Sequence, residues 1–112
     1  MEVMCDHIGD VTVVVLEGAQ LDASSTGEFK RDIMPVLEKQ AQVIFDLSQL
    51  GFIDSSGLGA LLFCLRHLQT RGGDLKLCNM SKSVRALFEL VRMHRIFHIF
   101  ETQEEAIRAF RQ

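Results

Sequence analysis

Residues 45–59 read Phe45-Asp46-Leu47-Ser48-Gln49-Leu50-Gly51-Phe52-Ile53-Asp54-Ser55-Ser56-Gly57-Leu58-Gly59. The apolar run that opens this stretch, Val43 to Leu47, carries one charge and has the length of a strand buried in a mainly parallel sheet. Ser48 to Ser55 follow as a loop. From Ser56 to Arg71 the apolar residues recur at a helical period, and Gly72 and Gly73 supply residues able to take the left-handed conformation that ends helices. A strand feeding a helix through a short loop is the start of a βαβ unit, and it puts Asp54, Ser55 and Ser56 at a helix amino terminus.

The flanking sequence continues the alternation. Met1 to Ile8, then Gly9 and Asp10, then the β-branched run Val11 to Leu16 predict a β-hairpin. Ser25 and Glu28 have capping-box spacing, and Phe29, Ile33, Val36 and Leu37 give the helix that follows an apolar face. Pro35 lacks the N–H that would bond four residues back, so a bend is expected there. Leu75 to Cys78 reads as a strand, Ser81 to Val91 as a helix with Val84, Leu87, Phe88 and Val91 on one side, and Ile96 to Phe100 as a further strand. Thr102 and Glu105 cap a last helix. The expected fold is one α/β domain over residues 1–112, a mixed, mainly parallel sheet of four to five strands with about four helices and an N-terminal hairpin.

Composition removes several function classes. Hydrophobic residues at 47% and charged residues at 24% are ordinary for a globular domain. The longest apolar run, Leu58 to Leu65, is far short of the roughly 20 residues a membrane span requires, and no basic-then-apolar leader is present. Cytoplasmic residence without membrane insertion is therefore expected. An odd set of three cysteines, Cys5, Cys64 and Cys78, lies in apolar stretches and reads as free buried thiols. With a net charge of −3 and neither Trp nor Tyr, the chain lacks the basic and aromatic surface of a nucleic-acid binder. Residues 1–60 carry −7 and residues 61–112 carry +4, an asymmetry that could steer a charged protein partner.

Enzyme chemistry finds little support. Ser56 is not set in Gly-x-Ser-x-Gly, and His67 lies three helical turns on, about 16 Å along the axis. Cys64 with His67, and His94 with His98, have helical spacing but no matching second pair, so no metal site is expected. Gly72-Gly73 lacks the Lys and Ser/Thr of a phosphate-cradling loop, and no cofactor is expected.

The strand ending Asp46-Leu47-Ser48, the spacer, and then Asp54-Ser55-Ser56-Gly57-Leu58-Gly59 resemble the signature of the anti-sigma factor antagonists, the regulatory branch of the STAS domain family. The similarity extends to Gly72, Gly73, Leu75, Leu77, Asn79 and the helix from Ser83 to Leu90. It implies that Ser56, the serine before the glycine, is phosphorylated by a partner anti-sigma factor with serine kinase activity. A serine phosphatase would reverse the modification, with the unphosphorylated form being the one that binds. The family's loop aspartate falls at Asp22, although Gly18 and Leu21 are separated by one residue more than is usual. Arg92 stands where many relatives have a helix-ending glycine. The resemblance also leaves an alternative, an accessory STAS subunit of a lipid or anion transport system that binds an ATPase subunit.

Residue chemistry supports the first reading on its own terms. A serine at a helix amino terminus lies beside unpaired N–H groups, so phosphate there adds charge without opposing the fold. At 100° per residue Leu58, Leu61, Leu62, Leu65 and Leu68 share a core face. Ser56, Ala60, Phe63 and His67 fall opposite. Taken with what the resemblance implies for Asp22 and the Asp54-Ser55-Ser56-Gly57 motif, the expected partner surface is Asp22, Asp54, Ser55, Ser56, Gly57, Ala60, Phe63 and His67, with Phe63 as an apolar anchor. The bland readings are that Asp54, Ser55 and Ser56 only cap the helix, and that Phe63 packs beneath a neighbouring helix.

Overall fold

The structure is a computed structural model that describes residues 2–112. Met1, expected in the first strand, lies outside the described residues. Strands β1 (Glu2–Ile8) and β2 (Val11–Glu17) form the hairpin, with Gly9 at φ +63 in its turn. The remaining elements are β3 (Gln20–Leu21), α1 (Thr26–Lys39), β4 (Gln42–Asp46), β5 (Phe52–Ile53), α2 (Ser55–Thr70), β6 (Asp74–Cys78), α3 (Lys82–Leu90), a 3₁₀ turn (Met93–Arg95), β7 (His98–Phe100) and α4 (Gln103–Phe110).

Five strands make the main sheet in the order β1-β2-β4-β6-β7. Only the β1–β2 pair is antiparallel; β2–β4, β4–β6 and β6–β7 are parallel, as strands joined by helical crossovers must be. Alternation along the strands serves two cores. Val14, Leu16, Val43, Phe45, Leu75 and Leu77 pack with α1, α2 and α3, while Val11, Val13, Ile44 and Cys78 pack with Ala106 and Ile107 of α4. Edge-to-face ring pairs Phe29–Phe45 and Phe88–Phe97, with centroids 6.1 and 5.9 Å apart, fix α1 on β4 and α3 against the approach to β7.

Three local expectations are corrected. The Ser25–Glu28 capping box does not close: Ser25 occupies the cap position, but its hydroxyl accepts the Asp22 N–H at 3.0 Å instead of capping α1. Cys5 is exposed on edge strand β1, whereas Cys64 and Cys78 are buried, and burial pushes both of those thiols up to about 12. The loop from Ser48 to Ser55 contains β5, whose two residues pair in parallel with β3. Runs this short give no periodic signal in the sequence.

Pro35 lies inside α1, which runs from Thr26 to Lys39 as one helix. Other local readings hold. Gly72, at φ +79, turns the chain out of α2, and a Cβ on Gly73 would overlap the Ala41 carbonyl. Thr102 Oγ1 accepts the Glu105 N–H at 3.2 Å at the start of α4. Arg92 adopts φ +62 at the exit from α3, doing what a glycine does there at lower backbone cost.

Candidate functional site

The amino terminus of α2 is held by the small β3–β5 sheet. Register pairs Gln20 with Phe52 and Leu21 with Ile53, so the residues that follow each strand, Asp22 and Asp54, leave side by side. Gly51 and Phe52 donate their N–H groups to the Ala19 carbonyl at 2.8 and 3.1 Å, and the Asp54 N–H reaches the Leu21 carbonyl at 3.3 Å. This pairing carries a long-range contact that the loop sequence does not disclose.

Asp54 joins the two segments. One carboxylate oxygen accepts the Gly57 N–H at 3.0 Å, capping α2, and the other accepts the Ala23 N–H at 3.2 Å from the loop before α1. Asp22 accepts the Ser24 hydroxyl at 2.7 Å and the Ser24 N–H at 3.0 Å. The Ser24 hydroxyl leads the interactions that hold the Asp22 carboxyl below the usual carboxylate range; slight burial opposes them, and the Ser24 N–H and Ser25 assist. Two anionic side chains thus flank the helix start.

Ser55 and Ser56 are both exposed in the first turn of α2. The Gly57 N–H is taken by Asp54, while those of Ser55 and Ser56 precede any intrahelical acceptor and point along the positive end of the helix. Gly57 itself is buried, and a Cβ there would overlap the Leu21 carbonyl and crowd Ile53. Only glycine lets β3 approach α2 this closely, so Gly57 serves the site through packing and not through a partner-facing side chain.

Along α2 the exposed ridge is Ser56, Gly59, Phe63, Arg66 and Thr70. Ala60 is 1% exposed and faces the core, which corrects its expected place on the outer face. Leu62, expected in the core, is only partly buried. The helix is therefore rotated slightly from the leucine-centred reading, because Gly57, Ala60 and Cys64 pack inward beside the leucines. Phe63 is 38% exposed, with the Lys30 ammonium of α1 5.0 Å from its ring centroid. His67 lies one turn further on, its ring centroid 6.0 Å from that of Phe63, and is half-buried with Nε2 sealed off and lacking a hydrogen-bond partner among the described residues. Gly59, Leu62, Phe63, Arg66, His67 and Thr70 line a shallow groove of about 380 Å³. Gly59 and Arg66 were legible at spacings of three and ten from Ser56; Lys30 was not, since it arrives from another helix.

At the carboxyl end of β4, on the sheet face covered by α4, lies a buried polar node. Asp46, at the end of β4, is 4% exposed and accepts Gln103 Nε2 at 2.6 Å, Asn79 Nδ2 at 2.9 Å and the Ser48 N–H at 2.8 Å. Burial acts to raise its carboxyl, but the Gln103, Asn79 and Ser48 donors outweigh it and leave the group below the usual carboxylate range. Asn79 reaches Asp46 from a left-handed backbone at φ +58. Among the described residues no cluster of three or more His, Cys, Asp or Glu side chains could hold a metal, and no helix is long and apolar enough to cross a membrane.

A parallel sheet edged by a hairpin, with an Asp-capped serine pair at the start of its second helix, defines the class: the chain belongs to the STAS domain family, whose model matches residues 2–106. Among individual relatives, BtrV of Bordetella bronchiseptica is 27% identical over 112 residues, covering 99% of this chain and 96% of that protein. The anti-sigma F factor antagonist of Paenibacillus polymyxa is 23% identical, covering 96% and 92%. The anti-sigma factor antagonist SpoIIAA of Bacillus, solved in unphosphorylated and phosphorylated forms, superposes with TM-scores of 0.70 and 0.69 at 25% identity. The unphosphorylated form covers 98% of both chains, and the phosphorylated form covers 97% of this chain and 99% of that one.

Proposed function

We propose that this protein is an anti-sigma factor antagonist whose binding to an anti-sigma factor is switched by phosphorylation of Ser56. The observation that carries the reading is an exposed serine in the first turn of α2, on a helix already capped by Asp54. Because the cap does not use Ser56, a phosphate there leaves the scaffold's hydrogen bonds in place. The phosphate adds about −1.5 to −2 charges beside Asp22 and Asp54, enough to repel a partner seated on the corner. SpoIIAA, a structural relative, is known in a phosphorylated form.

In this reading the partner kinase brings ATP, and a serine phosphatase resets the switch, both in the cytoplasm. Asp22, Asp54, Ser55 and Ser56 form the polar half of the docking surface, and Phe63 with the rim of the α2 groove forms the apolar half. Gly57 and Ala60 support that surface from beneath, and His67 lines its floor. Incubation with the cognate kinase and radiolabelled ATP is expected to label the wild type and leave Ser56→Ala unlabelled. Undiminished labelling of Ser56→Ala would overturn the assignment.

A further inference from the structure

At the far end of α3 the chain exposes apolar residues in a cluster. Leu90 is 79% exposed, Val91 46% and Ile96 48%. They sit on the last turn of α3 and the 3₁₀ turn after it, and Arg92, His94 and Arg95, between them in sequence, are exposed as well. Neither Arg92 nor Arg95 forms an ion pair among the described residues. Within the tip itself, from Glu89 to Phe97, the charged residues are Arg92, Arg95 and one carboxylate, Glu89, while Lys82 and Arg85 lie at the start of α3. The tip is thus apolar and cationic on a chain whose net charge is −3.

Topology fixes where this tip lies. β4, β6 and β7 run parallel, so α2 starts at the carboxyl end of β4, while α3 must carry the chain from the carboxyl end of β6 back to the amino end of β7. The tip and Ser56 are therefore at opposite ends of the sheet, one cationic and one flanked by Asp22 and Asp54. Something docked on the tip leaves the serine corner open.

We propose that the Leu90–Ile96 tip is a peripheral contact site for an anionic lipid surface. Aliphatic side chains exposed on a turn, interspersed with guanidinium groups, match residues that rest at the headgroup boundary while cations meet lipid phosphates. A protein interface of standard size occupies some 20–30 residues a side and centres on aromatic anchors, and the tip has neither that extent nor an aromatic. A second copy docked tip to tip would oppose cation to cation. With the tip on the bilayer, Ser56, at the other end of the sheet, faces away from it.

The test is co-sedimentation of the full chain with vesicles of equal parts phosphatidylglycerol and phosphatidylcholine, against phosphatidylcholine alone, at low salt. Binding is expected only to the anionic vesicles. R92Q/R95Q should lower partitioning roughly 30-fold, the effect of two cationic contacts, R92E/R95E by more because it also adds two anionic charges, and Leu90→Ser about tenfold. These side chains are exposed, so all three variants should melt as the wild type does, and S56D should bind vesicles like the wild type. Absence of binding, equal binding to both vesicles, or insensitivity to Leu90→Ser would overturn the proposal. So would R92E/R95E-sensitive capture by soluble polyglutamate with none by vesicles, which would reassign the tip to an acidic protein.

Discussion

Two aspartates stand where consecutive strands end, Asp46 as the last residue of β4 and Asp54 just after β5, and they are used in opposite ways. Asp46 is buried and surrounded by donors from β4's own exit, the turn after β6 and the start of α4. Asp54, half-buried, spends its oxygens on backbone N–H groups and leaves the next two residues, Ser55 and Ser56, in solvent. Where the polar group is sealed it joins three segments and cannot change without loss of structure. Where it only caps a helix, the hydroxyl beside it can gain charge while the backbone stays put. A switch needs both arrangements, a rigid node and a surface that carries no structural duty.

That contrast predicts a ranking of substitutions. Asp46→Ala leaves the half-buried Gln103 and Asn79 amides without their acceptor and should cost about 3 kcal/mol, read as a fall of about 10 °C in melting temperature. Asp46 also predicts an acid limb. Its folded carboxyl is held below the ordinary value, so its contribution to stability is present above the unfolded pKa, near 4, and is lost as pH falls through the folded one. Chemical denaturation between pH 5 and pH 2 should show that loss, and Asp46→Asn should flatten it.

Gly57→Ala comes next, at about 2 kcal/mol, because the added methyl meets the Leu21 backbone and not a yielding side chain. The β3–β5 pairing should open first, seen as faster amide exchange at Asp54. Asp54→Ala removes one cap and should cost about 1 kcal/mol by denaturant titration. Phe63→Ala, at a partly exposed ring, should change stability by less than about 1 kcal/mol while weakening anti-sigma factor binding in calorimetry. The smallest stability effect belongs to Ser56→Ala, within about 0.5 kcal/mol, although it removes the proposed switch. If Ser56→Ala proved as damaging as Asp46→Ala, the two regions would not be distinct.

Periodicity alone located most elements, because β-branched runs and helical apolar spacing report burial directly. Val11 to Leu16, Val43 to Leu47 and the α2 leucines are cases where each residue's neighbour is a core layer. The Asp54-Ser55-Ser56-Gly57 helix start was equally legible, since capping is local chemistry. Ala60 was misplaced because leucines alone set the assumed face, and small residues give no signal of which way they point. Lys30 over Phe63 and the Cys5 exposure depend on how α1 and β1 sit beside their neighbours, which no local window contains.

By itself, the sequence determined the alternation of strands and helices, the corner where a serine meets solvent, and the charge difference between its two halves. The tertiary structure alone decided which aspartate is sealed and which is free to work. It also decided that β3 and β5 pair to bring Asp22 to Asp54, and that the cationic tip lies at the far end of the sheet from Ser56. The reason is physical: burial and capping preferences are properties of a few consecutive residues. Two of the three partners of Asp46, Asn79 and Gln103, by contrast, come from positions 33 and 57 residues away and meet it only once the sheet has closed.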